Sequence, residues 1–180
     1  MLRCPICSEN LVKEDQRFVC SNHHSYDIAK NGSVYLNKTH SLKERGDNKL
    51  QIEARHQFHQ ADHYAIFKET LLQVISEYPH DSICDMGCGE GYYTHAMADV
   101  FKDSTLFGLD LSKEAIHIAS KKKDSTQYII ANSHDLPFID KRLDMVCALF
   151  TPLYLDEIIR VLKPYGTLIT LQAGAKHLVE

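Results

Sequence analysis

No stretch of 18 or more consecutive apolar residues occurs in this 180-residue chain, which excludes a membrane-spanning helix. Met1–Leu11 also lacks the continuous apolar segment of a secretory leader, so none is expected and a cytoplasmic location follows. A reducing compartment disfavours disulfides. The six cysteines, at positions 4, 7, 20, 84, 88 and 147, therefore point to metal ligation or plain thiol packing. A strong excess of one charge is missing as well, since the net charge is only −4. That balance hides an asymmetry. Residues 1–60 carry nine Lys/Arg against seven Asp/Glu, with five histidines, whereas residues 61–180 carry eleven against seventeen. Whole-chain charge does not announce a polyanion binder, and the front third is the better surface for one. What is present in ordinary amount is core material: hydrophobic residues make up 44% and charged residues 24%, as in folded domains.

The front of the chain reads CPICSENLVKEDQRFVCSNHH. Two residues separate Cys4 from Cys7 and twelve separate Cys7 from Cys20, with His23 and His24 behind it. Two such knuckles supply the four thiolate and imidazole donors of a tetrahedral structural zinc site. A redox Cys-x-x-Cys pair would open a helix after a strand; here no strand precedes it and Pro5 favours a turn. Either His23 or His24 can complete the set, and the three-residue gap from Cys20 favours His24. Four protein ligands leave no open position, so the metal is structural. It substitutes for a core that residues 1–36 are too few to build, and chelation is expected to unfold that module specifically. Asn31–Gly32 marks a turn before the apolar Val34–Leu36. Residues 37–62 are polar and form a connector, with a short amphipathic helix from Lys49 that passes near the neighbouring site as a solvated linker or a gate.

From residue 63 to 180 helical and strand patterns alternate, which predicts a parallel sheet covered on both faces. Five strands are read from the pattern, against the seven usual for the fold suggested below. DMGCGEGYYT places Gly87, Gly89 and Gly91 between the first strand and the next helix, where backbone amides and space meet a ligand. The spacing departs from Gly-x-Gly-x-x-Gly, and Asp85 and Glu90 would repel a pyrophosphate. S-adenosylmethionine, with an ammonium group and no phosphate, suits those carboxylates better. Asp110, 23 residues after Gly87, is placed to accept ribose hydroxyls. Asn132, Ser133 and His134 follow the third strand and can face the adenine. The fold class is thus α/β, a Rossmann-like S-adenosylmethionine-dependent methyltransferase sheet with an N-terminal zinc ribbon.

The run CPIC, HSYDIAKNGSVYLN, ADHY, DMGCGEGYYTHA, FGLDLSK, SHDLPF and KHL resembles the bacterial 23S ribosomal RNA guanine-N(1)-methyltransferases over the whole chain. The resemblance implies zinc on Cys4, Cys7, Cys20 and His24, and cofactor contacts from Tyr64, Gly89, Glu90 and His177. It further implies that the ribbon grips 23S ribosomal RNA, with no membrane partner and a homodimer allowed. Family members run on for roughly another third beyond KHLVE, so the sequence reads as a C-terminally truncated member. FTPLY, Phe150–Tyr154, is similar to the polar–Pro–Pro–aromatic loop of amino-group methyltransferases, with Thr151 in place of the polar clamp. Asp135, His134, Tyr92 and Tyr93 are candidate proton acceptors, and none is singled out.

Overall fold

The computed structural model describes residues 1–38 and 49–174. Strands β1 (Val12–Glu14), β2 (Arg17–Val19) and β3 (Ser25–Asp27) form a small antiparallel sheet. The two-residue turn between β1 and β2 uses Asp15 at φ +50°, a short polar residue that tolerates the left-handed region. After Ile28 the chain reverses through Gly32, at φ +87°, into β4 (Val34–Tyr35).

β4 leaves the ribbon and enters the main sheet. It runs parallel to β7 (Gln127–Ile130), with Val34 opposite Ile129 and Tyr35 opposite Ile130. The remaining strands are β5 (Ser82–Met86), β6 (Thr105–Asp110), β8 (Leu143–Leu149) and β9 (Leu162–Leu171). The sheet order is β4-β7-β6-β5-β8-β9, every neighbouring pair parallel. Five strands come from the second part of the chain as read from the pattern, and the sixth comes from the ribbon segment. The order reverses at β5, and ligands bind beyond the strand ends at such a switch point.

Among the described residues five helices complete the fold: α1 (Lys49–Gln60), α2 (Ala65–Ser76), α3 (Tyr92–Val100), α4 (Lys113–Ala119) and α5 (Leu155–Val161). The two-residue period of β8 sorts its side chains by face. Met145, Cys147 and Leu149 pack with Leu71, Ile75 and Met97, while Val146 and Ala148 pack with Leu136, Phe138 and Ile158. That second cluster also contains Leu2, Cys4, Leu11, Phe18, Cys20, Val34 and Leu36. The ribbon therefore shares a core with the sheet, and residues 1–36 are not an independently packed module. Unfolding on chelation is therefore expected to reach the sheet and not to stop at residue 36. Cys84 and Cys147 are buried thiols, pushed up by burial first and by the Asp85 charge. Among the described residues no helix is long and apolar enough to cross a membrane.

Candidate cofactor cavity and zinc ribbon

Cys4, Cys7, Cys20 and His24 converge, with one ligand atom from each lying within 4.8 Å of all the others. His24 Nδ1 is 3.5 Å from Cys4 Sγ and 3.4 Å from Cys20 Sγ, and Cys7 and Cys20 are 3.6 Å apart. Zinc bonds of about 2.3 Å to sulfur and about 2.0 Å to nitrogen put tetrahedral neighbours roughly 3.5–3.8 Å apart, so the donor set fits the ion. His23 stands at φ +61° in the turn, and it is His24 whose ring nitrogen joins the three thiols in the cluster. Burial opposes ionisation of Cys4. The Tyr26 hydroxyl at 3.1 Å and the Cys7 and Ile6 amides outweigh it and bring the thiol down to about 6.

The ribbon is fastened to the sheet by charge as well as by core. Arg3 donates to Asp135 at 2.5 Å and lies 3.6 Å from Glu157, and Lys38 meets Asp135 at 3.0 Å. Arg160 donates to the carbonyls of Leu136 and Phe138 and to Glu157 and Asp140. Such charge-assisted bonds are the stronger kind. They hold loop 132–138 against both α5 and the first residues of the chain.

That loop lines a cavity of about 860 Å³ at the carboxyl ends of β5, β6 and β7, a size suited to a nucleoside cofactor. Gly87, Gly89 and Gly91 have φ of +77°, +55° and +87°, a region glycine enters at little cost. The amides of Gly87 and Cys88 donate to the Leu109 carbonyl at 2.7 and 2.9 Å, which folds the loop back over β6. A β-carbon at Gly87 would lie 2.5 Å from Thr151 Oγ1, so the loop after β8 rests on the glycine loop. Asp110 accepts the Gly89 amide at 2.9 Å and the Ser112 amide at 2.8 Å, which fixes its carboxylate at the end of β6.

Tyr64, Gly87, Gly89, Glu90, Asp110, Asn132 and Ser133 all line this cavity. Asp85 does not. It is buried behind the loop, accepts the Thr94 hydroxyl at 2.5 Å, and is pushed up to about 7 by burial, opposed by that bond and aided by the charges of Asp110 and Glu90. Its chain position at the strand end suggests a cofactor contact, whereas its side chain turns under α3 and bonds to Thr94. Gly91 is also absent from the wall. It starts α3, and a β-carbon there would meet His95 at 2.9 Å and Ala119 at 3.0 Å, so packing explains the glycine. His177 lies outside the described residues.

The helix expected from Lys49, near the site as a linker or a gate, is α1, and its Arg55, Phe58 and His59 form one wall. Sequence reasoning did not single out those three side chains, whose only local signal is the run His56-Gln57-Phe58-His59. His59 Nδ1 bonds to Glu90 Oε1. Burial disfavours the Glu90 charge, but the His59 bond, its own amide and the nearby Arg55 hold the carboxyl below its usual range. At the mouth, Tyr64 meets Phe58 and Phe150 edge-on at 5.3 and 5.8 Å, and Tyr154 meets His134 at 6.0 Å. Phe150 stands at φ +53° and is 45% exposed. A bulky residue held in that region is strained, and such strain gathers at ligand sites.

The cavity fits S-adenosylmethionine on two grounds. Carboxylates of Glu90 and Asp110 stand at its glycine loop, and the Tyr93 hydroxyl in its wall is buried with no hydrogen-bond partner among the described residues. Fold and cavity together define a class I S-adenosylmethionine-dependent methyltransferase carrying a zinc ribbon. Residues 84–170 match the profile described as "Methyltransferase domain", and residues 2–37 the one described as "RlmA, N-terminal". A 23S rRNA (guanine(748)-N(1))-methyltransferase of Streptomyces fradiae is 30% identical over 99% of this chain and 65% of its own length. "Putative 23S rRNA (guanine-N(1)-)-methyltransferase" of Micromonospora griseorubida is 30% identical over 99% of this chain and 68% of its own. The chain belongs to this 23S rRNA guanine-N(1)-methyltransferase family, and it spans about two thirds of the length of the curated relatives it matches. Among solved structures, the PH0226 protein of Pyrococcus horikoshii aligns with a TM-score of 0.55 at 25% identity, over 64% of this chain and 57% of that one. The YcgJ protein of Bacillus subtilis aligns at 0.52 and 20% identity, over 60% and 50%, and shares the fold.

Proposed function

We propose that the chain binds S-adenosylmethionine and methylates N1 of a guanine in a hairpin loop of 23S ribosomal RNA, in the cytoplasm. The observation that carries this reading is the Arg3–Asp135 fastening, which joins the zinc ribbon to the loop that lines the cofactor cavity.

In this reading residues 1–36 grip the RNA, residues 63–180 hold the cofactor, and residues 37–62 supply the covering helix. Lys13, Arg17 and Lys30 are exposed on the ribbon and offer charge to phosphates. Glu90 and Asp110 receive the ammonium and ribose groups, and Asn132 and Ser133 face the base of the cofactor. When bound, S-adenosylmethionine supplies an electrophilic methyl group, and the protein's main contribution is to hold the acceptor in line with it. Unpaired bases are withdrawn from loops and stacked on aromatic side chains, for which Tyr64, Phe150 and Tyr154 line the mouth. The guanine ring proton must leave for N1 to accept carbon. Asp135 is committed to Arg3 and Lys38, the Tyr92 hydroxyl is held by Asp62, and burial makes the Tyr93 hydroxyl a poorer acid, which leaves His134 as the candidate acceptor on the wall.

Transfer of labelled methyl to unmodified large-subunit RNA tests this, with a full-length relative as control. Incorporation at one guanine that falls about tenfold or more in the triple variant K13E/R17E/K30E is expected, because three phosphate contacts are lost. Methylation of a small acceptor, unchanged by those substitutions, would replace the RNA reading with a small-molecule one.

A further inference from the structure

His59 is unusually well held for a side chain on a connector helix. Its ring lies flat on Tyr92, with centroids 4.3 Å apart and planes 19° from parallel. The Tyr92 hydroxyl donates to Asp62 at 2.6 Å, Lys68 donates to the same carboxylate oxygen at 2.7 Å, and the Lys68 ammonium sits 4.9 Å over the Tyr92 ring. Asp62 closes the corner between α1 and α2 at φ +55°, its amide donating to the His59 carbonyl at 2.9 Å. Groups from α1, the corner, α2 and α3 thus converge on one imidazole, and its Nδ1 meets Glu90. Glu90 is only 3% exposed and lines the cofactor cavity.

A buried carboxylate with two equivalent oxygens can rotate and can take up a proton. A donor fixed on one oxygen prevents both, leaving the group charged and oriented. We infer that His59 is a positioning residue for cofactor capture: through its Nδ1–H bond it holds the Glu90 carboxylate in the orientation that receives the cofactor, and it fastens α1 as the wall over the bound ligand. This rests on the reading of Glu90 as a cofactor contact. Ile52 is the one fully buried apolar side chain among those described in α1, so these aromatic and ionic contacts supply much of what fastens the helix.

The test is calorimetric titration of the zinc-loaded chain with S-adenosylmethionine, for the unsubstituted protein and for E90Q, H59A and H59N, each with a thermal melt. Asparagine places an amide nitrogen where Nδ1 stands, so it restores the donor without the ring. The expected result is a loss of about ten- to a hundredfold in affinity for E90Q and H59A, the scale of a lost charge-assisted hydrogen bond. H59N should recover to within about threefold, with melting temperatures close to the parent for all three. A purely structural role would lower the melting temperature of both His59 variants alike and show no rescue. Loss in E90Q with H59A unchanged, tighter binding by H59A, or equal weakness of H59N and H59A would each overturn the inference while leaving Glu90 as a contact. Unchanged affinity in E90Q, or no binding by the unsubstituted chain, would instead remove the cofactor reading, and the inference with it.

Discussion

Replacement of Gly87 by alanine separates two costs that usually arrive together. Any β-carbon at φ +77° carries the left-handed penalty, about 1–2 kcal/mol. At this position it would also stand 2.5 Å from Thr151 Oγ1 and 2.8 Å from Thr151 Cβ. That overlap forces the loop after β8 away from the glycine loop, at a further cost of about 1–3 kcal/mol by analogy with overpacked cores. Gly32 is the internal control, because it has φ +87° and nothing within 4 Å of a built β-carbon. Urea unfolding of the zinc-loaded protein should show Gly32→Ala destabilised by about 1 kcal/mol and Gly87→Ala by about 3 kcal/mol. Adding Thr151→Gly to Gly87→Ala should return about 1–2 kcal/mol of that difference as a coupling energy, since the two sites touch. Cofactor affinity should fall with Gly87→Ala and stay unchanged with Gly32→Ala. Equal destabilisation of the two alanine variants, or no coupling to Thr151, would refute the claim that the two loops lean on each other.

Asp85 has its folded pKa raised to about 7, so the native state holds a proton that the unfolded chain releases near pH 4. Stability should therefore decline as pH rises from about 4 to 7 and level off above, by an amount on the order of 4 kcal/mol; Asp85→Asn should flatten that decline in unfolding curves taken across the range. Chelation of zinc should raise hydrogen exchange at Leu36, whose amide bonds to the Ile130 carbonyl, and along β7, not in the ribbon alone, because the two share a core. Protection of β7 left intact by chelation would contradict that sharing. Arg160→Met should cost about 3 kcal/mol in chemical unfolding, since it strips donors from two carbonyls and leaves Glu157 with only the Leu136 amide and the more distant Arg3.

Much of this architecture is legible in the chain because its signals are local. The spacing of Cys4, Cys7, Cys20 and His24 is itself the metal geometry, and the stretches that became β5, β6, β7 and β8 are apolar runs bounded by turns. Where the signals are not local the sequence is silent. Nothing in Val34–Tyr35 says that its partner is Ile129–Ile130 rather than another ribbon strand, because two residues carry no register. Asp85 reads as a ligand from its place beside the glycines, yet the side-chain alternation of β5 and the hydroxyl of Thr94 draw it under α3. Helix α5 ends at Val161, since Pro164 pushes its predecessor into extended backbone and β9 begins at once. The pairing of His59 with Glu90 spans two elements that no periodicity connects.

The placement of β4 at the rim of the main sheet has a consequence for how the chain is made. A ribosome delivers the N-terminus first, so the zinc knuckles and the Val34–Tyr35 strand emerge long before their neighbour. About a hundred residues separate Val34 from Ile129, which at about 5–20 residues per second is a wait of roughly 5–20 s. During it the nascent ribbon has metal ligands but lacks the sheet that covers Leu2, Val34 and Leu36. Early metal capture would hold that apolar patch in a defined shape until β7 arrives, and zinc supply during translation, rather than afterwards, would then set the yield of correctly joined protein.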